Sequence, residues 1–128
     1  MTSEQARLTA MITTVEQEAQ DEARVLAGEG RTARAIRRLR KNSGLNLLTG
    51  SLALDLMVQG GTLPTTHRQA LDVLRESDAA LVAQLTDVLG EGKRDSDIKA
   101  VKLLRERTGI DLAGGYHIVQ ELAAQLGR

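Results

Sequence analysis

Apolar residues recur at steps of three and four along nearly the whole chain. Leu8, Met11, Ile12, Val15, Ala19, Ala23 and Leu26 form one such run, and Leu71, Leu74, Leu81, Leu85, Val88 and Leu89 form another. Steps of that size line one face of a helix, whereas a half-buried strand would alternate at every second residue. No alternating run occurs, so the pattern predicts an all-α protein in which each half opens with one long helix. Shorter stripes follow at Ala33, Ile36 and Leu39 and at Ile98, Val101 and Leu104. A third helix is marked by Leu48, Leu52, Leu54, Leu56, Met57 and Val58, apolar on several sides.

The breaks between these stripes carry turn signals. Gly44 and Gly109 each follow a basic stretch and precede an apolar residue, where a single left-handed residue ends a helix at little cost to glycine. Both are expected to be left-handed stops. Asn46 and Asp111, two residues on, are expected to cap the next helix with a side-chain oxygen, and Asp95 or Ser96 to cap the helix that holds Ile98. Gly60-Gly61 followed by Leu63-Pro64-Thr65-Thr66 bars a continuous helix.

These features come twice, at an offset of 65 residues. Ala35, Leu39, Arg40, Gly44, Leu47 and Gly50 recur as Ala100, Leu104, Arg105, Gly109, Leu112 and Gly115. Ile36, Arg37, Ser43, Leu45 and Asn46 recur as Val101, Lys102, Thr108, Ile110 and Asp111. The expected architecture is a tandem duplication of a three-helix unit, a long helix plus a helical hairpin, about six helices in all. The first unit spans 1–61, a link 62–66 and the second unit 67–128, the two packed as one domain.

Composition narrows the chemistry. At 128 residues the chain suits one core, and with no Phe, no Trp and a single Tyr it lacks the aromatic platforms that usually grip single-stranded nucleic acid. Absence of Cys removes disulfides, thiolate metal sites and a Cys nucleophile. The charged N-terminal stretch predicts no secretory leader, and no apolar stretch is long enough for a bilayer, so a cytoplasmic protein without a membrane partner is expected. His67 and His117 lie 50 residues apart outside any ligand spacing, acidic pairs such as Asp21-Glu22 suit helix ends, and no phosphate-loop glycine pattern occurs. No catalytic residue, cofactor, metal or small-molecule substrate is expected.

Charge is unevenly spread although the net charge is zero. Residues 1–30 hold two Arg against six acids, while residues 31–41 hold Arg31, Arg34, Arg37, Arg38, Arg40 and Lys41 with no acid. Such a basic helix has three uses: a surface for a protein partner, a set of phosphate contacts, or a complement to the acidic long helix of its own unit.

The segment Ile98-Lys99-Ala100-Val101-Lys102 through Arg105, followed by Thr108-Gly109-Ile110-Asp111-Leu112, resembles the helical hairpin in the C-terminal domain of the bacterial ribosomal stalk protein. In that family an Ile/Val-rich basic helix precedes Thr-Gly-Leu-Gly-Leu and a second helix, and its exposed side recruits translational GTPases. The resemblance implies a partner-binding face at Ile98, Val101, Lys102 and Arg105, with Ala33, Ile36, Arg37 and Arg40 as its counterpart in the first unit. The family's strands have no equivalent run here, and its lysine-rich following helix is replaced by Ala113-Gly114-Gly115-Tyr116, so the hairpin and the binding face carry over and GTPase recruitment does not. The expected function is a non-enzymatic protein–protein interaction or assembly module, homodimeric because of its apolar surface, in a bacterium or phage. The alternative is a small DNA-binding protein using Arg31, Arg34, Arg37, Arg38 and Lys41 of the basic helix 31–41.

Overall fold

A computed structural model describes residues 2–127 and contains, among these, helices and no strand. Eight helices follow one another: α1 (Ser3–Ile12), α2 (Gln17–Gly28), α3 (Thr32–Arg40), α4 (Leu47–Val58), α5 (His67–Ser77), α6 (Ala79–Gly90), α7 (Ser96–Thr108) and α8 (Leu112–Gln125). The all-α class agrees with the periodicity. The count does not, because each expected long helix is two helices whose apolar stripe runs on through a break.

The breaks have local causes. After Ile12 come Thr13, Thr14 and Val15, three β-branched residues that are stiff in a helix, and Thr13 turns extended with its hydroxyl donating back to the Thr9 carbonyl at 2.6 Å. In the second half Asp78 stops α5 and caps α6, its carboxylate accepting from the Leu81 amide at 3.1 Å. Sequence periodicity misses both interruptions because the apolar positions on either side still face the interior.

The break at 13–16 is fastened to the segment between α4 and α5. The Val15 amide donates to the Pro64 carbonyl at 2.9 Å. Gln20, fully buried, donates through Nε2 to the carbonyls of Val15 and Leu63 at 2.9 Å each, and its Oε1 accepts from the Leu63 amide at 3.0 Å. Leu63 and Pro64 are themselves buried, so the expected link is a packed part of the core rather than a free tether.

Two apolar clusters result. One gathers Ala10, Val15, Ala19, Ala23, Ala35, Leu39, Ala53, Leu54, Met57 and Leu63, and its alanines allow α1 to α4 to approach closely. The other, richer in leucine, gathers Leu71, Leu74, Leu81, Leu85, Leu89, Leu104, Ile110, Ile118 and Leu122, and it also takes Ile12 from α1. Thus α1 packs on α4 of its own half and on α5 and α7 of the other. It also satisfies the end of α7: the Thr9 hydroxyl donates to the Thr108 carbonyl, and Gln5 Nε2 donates to the Glu106 carbonyl at 3.3 Å. The pairings α2–α3, α1–α4 and α3–α4 are matched by α6–α7, α5–α8 and α7–α8.

The hairpin turns agree with expectation in their caps and differ in one stop. Asn46 accepts from the Thr49 amide at 2.8 Å and Asp111 from the Gly114 amide at 3.0 Å. In each turn a hydroxyl, Ser43 or Thr108, donates to the carbonyl four residues back and accepts from the amide two residues on. Gly109 is left-handed with φ 82°, as expected. Gly44 is not. Because α3 ends earlier, at Arg40, the left-handed position falls on Asn42, with φ 58°. What Gly44 provides is room, since a Cβ there would stand 2.7 Å from the Asp111 carboxylate. Asp95 precedes α7 without a side-chain cap, while Ser96 Oγ accepts from the Lys93 amide at 3.0 Å.

Gln20→Ala is expected to strip Leu63 and Val15 of buried hydrogen-bond partners, costing about 2 kcal/mol or more and lowering the thermal midpoint by several degrees, whereas Gln17→Ala on the exposed side should change it little. Paired melting curves measure this; equal midpoints would show that water replaces the carboxamide. Gly109→Val should cost about 1 kcal/mol or more, a β-branched residue being poorly tolerated at positive φ, and urea unfolding of the variant checks it.

Candidate functional site

Helices α7 and α8 form a hairpin closed by the left-handed Gly109 and capped by Asp111. The turn folds the first half of α8 back along α7, and between them lies an open groove of about 570 Å³ lined by Asp97, Ile98, Val101, Lys102, Arg105, Glu106, Leu112 and Tyr116. Three of its apolar side chains face solvent to an unusual degree, with Ile98 71%, Leu112 61% and Tyr116 49% exposed. Val101, which the resemblance places on the exposed binding face, is a floor residue at 8% exposure. The correction follows from helix spacing, since Val101 shares a side of α7 with the core residue Leu104.

Arg105, at the rim, is held by packing rather than by an acid. A Cβ on Gly115 would lie 3.1 Å from Cγ of Arg105, so the arginine stem runs over α8 where α8 has no side chain, and its Nε donates to the Ile110 carbonyl at 3.3 Å. Arg40 runs over Gly50 of α4 in the same way, with a Cβ 2.9 Å from its Cγ. The recurring Arg and Gly of the two halves are therefore one packing contact, an aliphatic stem covering a bare helix face.

The expected residues of the first half are brought together less well. Ile36 is half-buried beside Arg40, Arg37 is exposed, and Leu47 and Leu48 are 64% and 55% exposed. Ala33 and Ser51 stand where α7 and α8 carry Ile98 and Tyr116, so these two large side chains have no counterpart on α3 and α4. The neighbouring groove, about 660 Å³, is instead basic: Arg34, Arg37, Arg38, Arg40 and Lys41 line it with Leu26 and Leu45, and no acid does. Pairing with the acidic helix accounts for one of the basic side chains, Arg38, which meets Glu22 of α2, and Arg31 meets Glu29 within the α2–α3 connection at 3.8 Å. Arg34, Arg37, Arg40, Lys41, Lys102 and Arg105 take part in none of the ion pairs found among the described residues.

Sequence spacing did not anticipate that His67 and His117 meet. His67 opens α5, His117 lies on α8, and their ring centroids are 4.8 Å apart. They border a polar cleft of about 300 Å³ where the break at Thr13 and Thr14, the α3–α4 turn at Asn42, Ser43 and Gly44, and Asp111 converge. Partial burial, reinforced by the His117 imidazole, lowers the His67 pKa below 6.5, against the opposing pull of Asp111 and Glu121. Among the described residues no group of three or more His, Asp or Glu is placed to hold a metal ion. None of the described helices is long and apolar enough to cross a membrane.

Comparison of the chain with protein families, with curated proteins and with solved structures finds no match.

Since the fold holds His67 neutral more strongly than the unfolded chain does, protons bind preferentially to the unfolded state between the lowered value and 6.5. Stability is expected to fall as pH drops through 6.5 and to stop falling, as far as this group is concerned, below the lowered value. Melting curves across mildly acidic pH should show a shallower decline for His67→Gln than for the native chain.

Proposed function

We propose that the protein is a non-enzymatic interaction module, built from two related helical hairpins, that holds an amphipathic helix of a partner protein in the α7–α8 groove. The observation that carries this reading is the contiguous exposure of Ile98, Leu112 and Tyr116 over a Val101 floor, flanked by Lys102 and Arg105. Apolar side chains seldom stay together in water without a use, and a groove between two helices accepts a third at their own spacing. Covering Ile98 and Leu112 is worth roughly 1.5–3 kcal/mol each. The two uncommitted cations at the middle of the rim select acidic residues beside the partner's apolar stripe, giving orientation more than affinity.

The same hairpin supplies the likeness to the ribosomal stalk protein, and the reading draws on that likeness for the idea of a binding face on the basic helix. Rigidity supports it as well. Gly109, the Asp111 cap and the Arg105 stem fix the groove before a partner arrives, so little ordering has to accompany binding.

Both apolar rim residues occupy first turns, Ile98 the third position of α7 and Leu112 the first of α8. Glutamate is well tolerated at the start of a helix, so Ile98→Glu with Leu112→Glu should leave the thermal midpoint nearly unchanged. Affinity capture from the native cell, quantified for each protein retained, is expected to lose the specific partner by about 100-fold or more with the double variant, equivalent to roughly 2.7 kcal/mol. Equal retention by native and variant chains would remove the groove from the functional account.

A further inference from the structure

The α2–α3 hairpin carries a second surface, on the opposite kind of chemistry. The two helices are joined by three residues, Glu29 to Arg31, and pack on each other. Glu22, six residues before the end of α2, meets Arg38, six residues after the start of α3, which is the register of an antiparallel pair. On α2, Glu18, Asp21, Glu22 and Val25 stand at i, i+3, i+4 and i+7, all exposed, with Val25 62% exposed. On α3, Arg34, Arg37 and Arg38 stand at the first three of those intervals, and Lys41 follows as the residue that ends the helix. Each set is one helix face. Leu26 borders both the acidic depression with Asp21, Glu22 and Val25 and the basic groove with Arg34 and Arg37, so the two ridges lie side by side with an apolar seam between them.

We propose that this surface binds a second copy of the chain, forming a two-fold dimer in which the acidic ridge of α2 in each copy lies on the basic ridge of α3 in the other. Two parallel ridges of opposite sign are self-complementary. A two-fold axis running along the seam turns acid onto base on both sides at once, which is the isologous arrangement of most homodimers. Within one copy the pairing across the two ridges is Arg38 with Glu22, and Asp21 pairs along its own helix with Arg24 at 3.7 Å, while Arg34, Arg37 and Lys41 have no ion pair among the described residues. Val25 and Leu26 lie where the two copies meet and supply the apolar contact that ridges of charge alone lack. A protein of zero net charge with its charges sorted into adjacent ridges is suited to its own copy. Duplex nucleic acid fits less well, because the acidic ridge beside the basic one would face the phosphates. The α7–α8 groove takes no part, so dimerisation and partner capture are separable.

The test exchanges the ridges. Glu18→Lys with Asp21→Lys makes the α2 ridge net basic, and Arg34→Glu with Arg37→Glu leaves the α3 ridge with no net positive charge; all four positions are exposed. Sedimentation velocity at tens of micromolar in low salt is expected to show the native chain as a dimer, weakened at least tenfold in high salt, and each variant as a monomer. An equimolar mixture of the two variants should restore a one-to-one heterodimer by native mass spectrometry. Should either double variant unfold by circular dichroism, Val25→Arg alone is expected to weaken the native dimer at least tenfold by placing a cation against the partner's basic ridge. A native chain that is monomeric in low salt, a dimer indifferent to every reversal, or variants that fail to pair with each other would each overturn the proposal. So would a monomer that binds a labelled DNA duplex through Arg34 and Arg37, which would assign the basic ridge to nucleic acid.

Discussion

The side chain of Gln20 holds the architecture together. One carboxamide, fully buried, ties the break after α1 to the link between the halves by three hydrogen bonds, all between 2.9 and 3.0 Å. A buried amide is costly unless its donors and acceptor find partners, and here they find backbone groups of Val15 and Leu63 that would otherwise be stranded in the core. Among the described residues no buried side-chain nitrogen or oxygen is left without a partner. Because the chain is pinned at this point, α1 is freed from the direction of α2 and reaches into the second half. There Ile12 joins the leucine-rich core and Thr9 and Gln5 close the carbonyl end of α7.

That reach has a consequence for function. The end of α7 satisfied by α1 is the end from which the Gly109 turn departs, and the turn sets where α8 begins. The placement of Leu112 and Tyr116 beside Ile98 therefore depends, through α1, on packing in the first half. The two halves also divide their surface chemistry. The second presents apolar side chains framed by charge and the first a basic groove, and the α3–α4 and α7–α8 hairpins differ at a few matching positions: Ile98 against Ala33, Tyr116 against Ser51, and Glu106 where the first half has Lys41.

The arginines illustrate why charge is a poor guide to what a residue does. Arg40 and Arg105 are exposed at their heads, yet their stems cover Gly50 and Gly115, so they are packing residues as much as charged ones. Arg38 is consumed by Glu22, while Arg34 and Arg37, three residues apart and chemically the same, are left open. Only the direction in which each leaves the helix separates them.

Helical class, the places of the hairpins, the Asn46 and Asp111 caps and the left-handed Gly109 were legible in the sequence, because each depends on residues within a turn or so of itself: apolar spacing, a short oxygen-bearing side chain, a residue without Cβ. The candidate groove was legible in part, since Ile98, Lys102 and Arg105 share a helix face by spacing alone, but Leu112 and Tyr116 enter it only through the hairpin. The halves of the long stripes were read as continuous because periodicity records which side is buried and not whether the axis continues; Thr13-Thr14-Val15 and Asp78 were the local signals of the breaks. Tertiary structure alone decided the rest. Gly44 lost the left-handed role to Asn42 because α3 stopped earlier and the Asp111 carboxylate needed its space, and Val101 became a floor because Leu104 beside it is core. His67 and His117 met, and Gln20 found Leu63 43 residues away, since contacts between distant segments depend on how helices pack and leave no periodicity in the chain.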